Sequence, residues 1–404
     1  MAPNETLQLS NLSISSASRR SFLGLSAAAS AALAFRIVTE PMLARAGVMA
    51  SGKDAVHIDA NENPLGPSAG AREAAAAIVA QGGRYSDWLT DDLVKTLAEK
   101  EGLKPEEVRV YPGSSEPLHH VVCIFTSAQR SYVTADPGYE AGMFNAEAVG
   151  AKVVKVPLTK TYAHDVKAMA GVSDAGVFYV CSPNNPTGTI TSHSDIEYLV
   201  ENKPAGSVVL VDEAYIHFCD APSAMDLVKA GKDVIVLRTF SKIYGMAGLR
   251  CGAVFARPDL LEKIEKYAGW NAMPITALVA ASASLKDTHL LPERKRINAR
   301  ARGEVFAWLD HGGYSYIPSE ANFFMLDTKR PARPVIDAMA KQKVFIGRIW
   351  PAMPTYTRVT IGTAPEMEQF QMAWQKVMTG AVTASVGAMP SSGKRNLDGI
   401  VVSG

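Results

Sequence analysis

Short apolar runs rich in β-branched residues alternate with longer helix-like segments from about residue 108 onward. Several runs are apolar on both faces, as buried parallel strands are. The clearest runs predict strands at residues 108–110, 132–134, 177–180, 208–211 and 234–237. This alternation predicts an α/β fold with a mostly parallel central sheet flanked by helices.

A polar or glycine-rich segment follows each of these predicted strands. The segments lie at residues 112–115, 136–139, 182–188, 212–215 and 238–242. In open α/β sheets, ligands bind at the carboxyl ends of the strands. We therefore expect a single site built from residues that are distant in the sequence.

The remaining segments divide the chain further. We expect a large domain over residues 81–290, preceded by an N-terminal arm at 47–80. A smaller α+β domain at 291–380 begins with a basic helix-like stretch. The tail at 381–404 is rich in Ala, Ser and Gly, which predicts a flexible segment.

The first 46 residues resemble a twin-arginine export signal. Arg19 and Arg20 precede an apolar run at residues 22–35, and Ala44 and Ala46 offer small residues where a signal peptidase reads. The run is shorter than the roughly 20 residues that span a bilayer. We expect a protein exported folded to the periplasm, or a cytoplasmic protein if the signal does not function. The alternative is an N-terminal helix that belongs to the fold.

The charged residues are almost balanced, which limits the partners of this chain. It has 41 Lys and Arg against 40 Asp and Glu, a formal net charge of +1. No global field favours nucleic acid or, beyond the export signal, a membrane surface. No metal-ligand spacing such as His-Glu-x-x-His is present, so no metal is predicted. Small molecules are the expected partners.

Lys242 and Asp212 are the main catalytic candidates. Lys242 follows a buried strand, and a lysine whose pKa is lowered by burial or a nearby cation can attack an aldehyde. Asp212 ends an apolar strand, where a carboxylate needs a partner. A protonated pyridinium nitrogen is such a partner, and Tyr215 or Asn185 could bind the ring hydroxyl. These residues predict pyridoxal 5'-phosphate as the cofactor.

The cofactor phosphate requires an anion site of its own. A glycine and two serines precede a helix predicted over residues 116–126, whose first N–H groups can bind phosphate. Taken singly, each candidate has a purely structural explanation, such as a turn, a helix cap or a surface charge. Their order on successive strand ends favours a site. The predicted contacts to phosphate and ring are Ser114, Ser115, Thr239, Ser241, Arg250 and, stacked on the ring, Tyr139.

Several of these segments resemble class I/II aminotransferases, and within them the histidinol-phosphate aminotransferase group. They lie at 59–64, 182–188, 212–215, 241–252 and 358–363, and the resemblance covers about residues 56–376. It implies a fold-type-I transferase that depends on pyridoxal phosphate and forms a homodimer with shared active sites. Such an enzyme moves an amino group between an amino acid, or an amino-alcohol phosphate such as histidinol phosphate, and a 2-oxo acid.

The resemblance also implies individual roles. Lys242 would be the Schiff-base lysine and proton shuttle, and Asp212 would pair with the ring nitrogen. Tyr85 would reach the phosphate from the partner subunit. The substrate contacts implied are Arg358 for the α-carboxylate, Arg348 where the group places a phosphate-binding arginine, and Asn63, Asn185 and Asn322.

The identity of the substrate stays open in the sequence. Members of the group that act on histidinol phosphate usually have a tyrosine in the N-terminal arm that helps hold the substrate phosphate, but residues 47–57 contain none. Residues 270–274 also replace the group's usual Pro-Tyr-Pro segment, so the side-chain pocket is expected to differ. Export would also separate the enzyme from cytoplasmic histidine biosynthesis. We expect a paralogue that acts on an amino acid or amine, aromatic or basic. Lyases, decarboxylases, oxidases and a non-enzymatic ligand-binding protein on the same fold are the alternatives.

Overall fold

The computed structural model describes residues 54–268 and 273–380. The predicted export signal at 1–46, the first part of the arm at 47–53, most of the segment at 270–274, and the tail at 381–404 lie outside these residues. The predictions for those segments are therefore not addressed by the structure.

The described residues form twelve β-strands in three sheets. The strands are β1 (Val56–Ile58), β2 (Val108–Tyr111), β3 (Ser131–Asp136), β4 (Val153–Pro157), β5 (Ala175–Cys181), β6 (Val208–Asp212), β7 (Val234–Thr239), β8 (Gly252–Ala256), β9 (Tyr316–Ile317), β10 (Phe323–Asp327), β11 (Val344–Ile346) and β12 (Tyr356–Thr360).

Twelve α-helices connect and cover these strands within the described ranges. The helices are α1 (Ala69–Ile78), α2 (Trp88–Glu101), α3 (Ser115–Phe125), α4 (Ala141–Ala148), α5 (Val166–Ala170), α6 (His193–Asn202), α7 (Met225–Lys229), α8 (Pro258–Ala268), α9 (Ile275–Lys286), α10 (Leu290–His311), α11 (Ala332–Lys341) and α12 (Ala364–Thr379). None of the described helices is both long enough and apolar enough to cross a membrane.

A seven-stranded sheet with the order β2-β8-β7-β6-β5-β3-β4 forms the centre of the larger domain. Its strands are parallel except β8, which runs antiparallel to both of its neighbours. The five strands predicted from the sequence are all present, and the α/β prediction is confirmed. The prediction missed β4 and β8; β4 is only partly buried and carries a lysine, so its apolar pattern is weak.

Every residue of β5 and β6 is buried, because helices cover both faces of the sheet. Helix α3 packs against β5 and β6, and α6 packs against β6. Burying one Val or Leu side chain contributes about 1.5–3 kcal/mol, so the central strands supply much of the stability of this domain. The carboxyl ends of these strands are thereby held in fixed positions.

The smaller domain has its own core and two small sheets. One sheet has the order β12-β10-β9 and is antiparallel, and the other pairs β1 with β11 in parallel. Side chains of α10 and α12, including Leu309 and Trp374, pack on these strands.

The N-terminal arm is shared between the two domains. Val56 and Ile58 of β1 belong to the core of the smaller domain, whereas Ala71 and Ile78 of α1 belong to the core of the larger one. The segment between β1 and α1, residues 59–68, therefore crosses from one domain to the other. It passes the edge of the sheet where the predicted site lies.

Candidate active site

A cavity of about 430 Å³ lies at the carboxyl ends of the parallel strands. Strand β2 runs parallel to β7, since β8 is antiparallel to both, and its end therefore reaches the same edge. The structure brings most of the predicted residues together around this cavity: Ser114, Ser115, Tyr139, Asn185, Asp212, Tyr215, Thr239, Ser241, Lys242 and Arg250.

Asp212 is the buried carboxylate of this cavity. Its Oδ2 accepts a hydrogen bond from the Tyr179 hydroxyl at 2.8 Å, and its Oδ1 accepts one from the Ala214 N–H at 3.0 Å. Burial raises the pKa of the Asp212 carboxyl to about 6, while these hydrogen bonds and the charge of Lys242 act in the opposite direction. A cationic ring nitrogen beside Asp212 would favour its charged form.

Tyr179 was not predicted from the sequence. It lies in the middle of β5, two residues before Cys181, and both residues line the cavity because alternate strand residues share a face. Burial, followed by the charge of Asp212, raises the pKa of the Tyr179 hydroxyl well above its ordinary value, so it remains a proton donor. In a strand apolar on both faces, only its hydroxyl distinguishes it.

Lys242 lines the same cavity as Asp212. Its Nζ lies 3.4 Å from the carbonyl oxygen of Ala60 and 5.5 Å from the centre of the Tyr215 ring. The Tyr215 hydroxyl accepts a hydrogen bond from Asn61 Nδ2 at 3.1 Å. The segment between β1 and α1 therefore contacts two of the predicted catalytic residues, Lys242 and Tyr215. The contact made by Asn61 was not predicted from the sequence.

A cradle for an anion forms where β2 meets α3. Helix α3 starts at Ser115, and the side chain of Ser114 does not cap it. Gly113 has φ of +94°, which strains residues other than glycine, and a Cβ there would lie 2.2 Å from Nη2 of Arg250 and displace that side chain. Arg250 Nη1 lies 3.4 Å from Ser241 Oγ, which also accepts a hydrogen bond from Thr239 at 2.9 Å. The first N–H groups of α3, the serines and Arg250 suit a phosphate.

Arg358 is fully buried in the middle of β12. Its Nη1 donates to Asn185 Oδ1 at 2.8 Å, and its Nη2 donates to the carbonyl oxygen of Asp59 at 2.7 Å. Asn185 lines the cavity, so it connects Arg358 to the site. The two residues are in contact, and the implied role of Arg358 toward a substrate carboxylate stays a prediction.

The side chains of Asn322 and Asn63 donate hydrogen bonds to backbone carbonyl oxygens, and neither residue lines the cavity. Asn322 Nδ2 lies 3.3 Å from the carbonyl oxygens of both Asn61 and Glu62. Asn63 Nδ2 donates to the carbonyl oxygen of Ile243 at 2.9 Å. Their contacts position the segment that carries Ala60 and Asn61, and their predicted substrate roles stay predictions.

Arg348 lies apart from the phosphate cradle, in the smaller domain. Its Nη2 donates to Glu140 Oε2 at 2.5 Å, and both side chains are buried. Glu140 was not predicted, although it directly follows Tyr139. Its signal in the sequence was a carboxylate placed among the small and polar residues after a strand end.

Tyr85, a predicted site residue, is exposed over 69% of its surface. Trp88, at the start of α2, is 57% exposed. Neither residue lines the cavity. Within the described ranges, no group of three or more His, Cys, Asp or Glu side chains is arranged to hold a metal ion.

A largely buried network of charged side chains connects the ends of two central strands. Arg238 donates to Glu213 and to Glu101, each at 2.8 Å, and to Ser223 Oγ at the same distance. Glu213 follows Asp212, and Arg238 precedes Thr239. The network therefore connects the ends of β6 and β7 at the point where both carry cavity residues.

These residues fit pyridoxal 5'-phosphate. A buried carboxylate suits the ring nitrogen, the lysine suits the aldehyde, and the cradle suits the phosphate. Together, the fold and this site define a pyridoxal-phosphate-dependent enzyme of fold type I. The sequence profile of the aminotransferase class I and II family matches residues 53–374. The chain belongs to this family, and it is an aminotransferase whose cofactor is pyridoxal phosphate.

The relatives agree with this classification. The chain is 34% identical to the histidinol-phosphate aminotransferase of Moorella thermoacetica, over 81% of this chain and 86% of that protein. It is 34% identical to the one from Symbiobacterium thermophilum, over 78% and 89% respectively. The fold matches that of histidinol-phosphate aminotransferase from Sinorhizobium meliloti, in complex with pyridoxal-5'-phosphate. That match has a TM-score of 0.76 and 24% identity, and covers 86% of this chain and 96% of that one.

Proposed function

We propose that this aminotransferase takes its amino group from an α-amino acid and transfers it to a 2-oxo acid. The observation that carries the proposal is Arg358, a buried arginine joined through Asn185 to the cavity wall. Arginine binds a planar carboxylate through two parallel N–H···O bonds. Amino acids and 2-oxo acids share such a carboxylate, so one arginine can serve both half-reactions.

The proposal assigns the chemistry to residues around the cavity. When bound, pyridoxal phosphate supplies an electron sink for the bond that breaks at the donor's α-carbon. Lys242 would hold the cofactor through its aldehyde and, as a free amine, would accept the proton from the donor's α-carbon. Asp212 would keep the ring nitrogen protonated, Tyr215 with Asn185 would bind the ring hydroxyl, and Tyr139 would stack on the ring.

The names of the relatives suggest histidinol phosphate as a rival donor. That donor carries an alcohol phosphate where an amino acid carries its carboxylate. The test is an absorbance titration of the purified holoenzyme with single donors, histidinol phosphate included. Conversion of the cofactor's visible band by amino acids supports the proposal. Conversion by histidinol phosphate alone contradicts it.

We propose in addition that two copies of the chain form a homodimer with shared active sites. Tyr85 and Trp88 are large aromatic side chains exposed near the start of α2. Such side chains are expected on a surface that a second copy of the chain covers. In this arrangement Tyr85 reaches the phosphate cradle of the partner. Mixing a Lys242→Ala protein with a Tyr85→Ala protein should then restore one intact site per mixed dimer. Sedimentation that shows only monomers would contradict the dimer.

The order of features in residues 1–46 supports a periplasmic location reached through the twin-arginine route. Such a route carries folded proteins, which suits an enzyme that binds its cofactor before export. Replacing both Arg19 and Arg20 with lysine should leave the enzyme in the cytoplasmic fraction of the cell. Unchanged periplasmic activity in that variant would refute this route.

A further inference from the structure

A buried ion pair joins the two domains immediately beyond the cavity. Glu140 precedes α4 in the larger domain and is 4% exposed, whereas Arg348 follows β11 in the smaller domain and is 5% exposed. Their side chains meet at 2.5 Å. Two buried charges are tolerated because each compensates the other, so the pair is electrically neutral toward its surroundings.

The pair lies close to the proposed position of the donor. The guanidinium carbon of Arg348 is 4.4 Å from the centre of the Trp350 ring, and that of Arg358 is 5.4 Å from the same centre. Both guanidinium groups therefore contact the same ring, so Arg348 and Arg358 are neighbours around Trp350. If Arg358 binds the donor's carboxylate, the donor's side chain extends toward Arg348 and Glu140.

Tyr139 and Asn185 both line the cavity, and each leads to one member of this group of buried charges. Glu140 follows Tyr139 in the chain, and Asn185 contacts Arg358. The ring of Trp350 is itself held, since its Nε1 donates to the carbonyl oxygen of Gly138 at 3.2 Å. The ion pair is therefore buried directly behind residues that line the cavity, and Trp350, which contacts Arg348, is itself held by a hydrogen bond.

We propose that Glu140 determines donor specificity by neutralising Arg348. Alone, Arg348 would attract a phosphate or carboxylate on the donor's side chain. With Glu140 paired to it, an anionic side chain must displace Glu140 and leave a second negative charge beside it, which is unfavourable. A cationic side chain would meet Arg348. The favoured donors are therefore α-amino acids with an uncharged side chain. This proposal rests on the proposed function above, in which the donor is an α-amino acid.

The test compares single-donor reactions of the holoenzyme before and after Glu140→Gln. The donors are L-phenylalanine, L-glutamate, O-phospho-L-serine and L-arginine, followed through the cofactor's absorbance. We expect the wild type to use L-phenylalanine at least about 100-fold better than the anionic donors, because like charges held close together disfavour binding strongly. In Glu140→Gln, the ratio of anionic to uncharged donors should rise at least about 10-fold.

Glu147→Gln is the matched control. Glu147 is exposed on α4, so this change removes the same charge without touching Arg348, and the donor ratio should stay unchanged. Arg348→Gln is a second, independent variant that leaves the carboxylate of Glu140 in place. It should raise the use of L-arginine relative to L-phenylalanine.

The outcomes separate this proposal from the one on which it rests. If anionic or basic donors are preferred by the wild type, or if neither variant shifts the ratios, the role of Glu140 is refuted while α-amino acid donors remain established. If no α-amino acid converts the cofactor, the proposed function fails, and the specificity proposal fails with it.

Discussion

Asp212 is the residue whose replacement tests the electrostatics of the site in the most quantitative way. In the cofactor-free protein its pKa is raised from the ordinary value of 3.8 to about 6, chiefly by burial. The folded protein therefore holds this proton more tightly than the unfolded chain does. The resulting stability is fully present below about pH 4 and is lost as the pH rises through about 6.

The expected size follows from that pKa difference. At about 1.4 kcal/mol per pKa unit, burying the ionised carboxylate costs on the order of 3 kcal/mol above pH 6. Asparagine has almost the same shape and carries no charge. Its oxygen can still accept from the Ala214 N–H, and its NH₂ group can donate to the Tyr179 oxygen. Any change in these hydrogen bonds is the same at each pH and cancels in a pH series.

The assay is chemical unfolding of the cofactor-free wild type and Asp212→Asn from pH 4.5 to pH 8. The stability of the variant relative to the wild type should rise by about 2 kcal/mol over this range, most of it below about pH 6.5, because part of the full difference falls below pH 4.5. Asp259→Asn is the control, because a hydrogen bond from Arg257 lowers the pKa of that exposed carboxyl and any effect should have the opposite sign. A pH-independent difference for Asp212→Asn would refute the reasoning.

Adding pyridoxal phosphate should reverse the order of the two proteins. The ring nitrogen gives the Asp212 carboxylate a cationic partner, so the bound cofactor should stabilise the wild type more than the variant above pH 7. The variant should also lose activity, since asparagine does not keep that nitrogen protonated. Equal stabilisation of both proteins by the cofactor would contradict the assigned pairing.

Three further changes probe other parts of the site. Lys242→Ala should leave a folded protein that binds the cofactor without turnover, and persistent activity in a donor–acceptor assay would contradict its role. Gly113→Ala should weaken cofactor binding at least about 10-fold in equilibrium titration, because the added Cβ collides with Arg250 and strains a left-handed backbone. Arg238→Met should lower the free energy of unfolding by about 3 kcal/mol, since it leaves the buried carboxylate of Glu213 and the partly buried one of Glu101 without their cation. In the same unfolding assay, Arg300→Ala, which breaks an exposed pair, should show no measurable change.

Much of the fold could be predicted because its signals are local. An apolar strand such as β6 and the polar segment after it are adjacent in the chain, so Asp212 and Tyr215 stand out without any tertiary information. The same holds for Ser114 before a helix and for Lys242 after a strand. Since parallel strands end at one edge of a sheet, these local signals sufficed to predict that the residues meet.

Contacts between distant segments left no comparable signal. Tyr179 is one aromatic residue in a strand that is buried throughout, and only the pairing of β5 with β6 brings its hydroxyl to Asp212. Asn61 contacts Tyr215 because the segment after β1 crosses between the domains. Neither contact follows from periodicity, which reports the faces of an element but not its neighbours.

The sequence by itself determined the α/β class, the strand ends that form the cavity, and the residue types that suit pyridoxal phosphate. Only the tertiary structure decided that Arg348 has Glu140 as its partner, because more than two hundred residues separate the two in the chain. The physical reason is that the charge of a site is a sum over side chains close in space. A pattern along the chain supplies each charge, and the packing of the two domains determines which charges cancel.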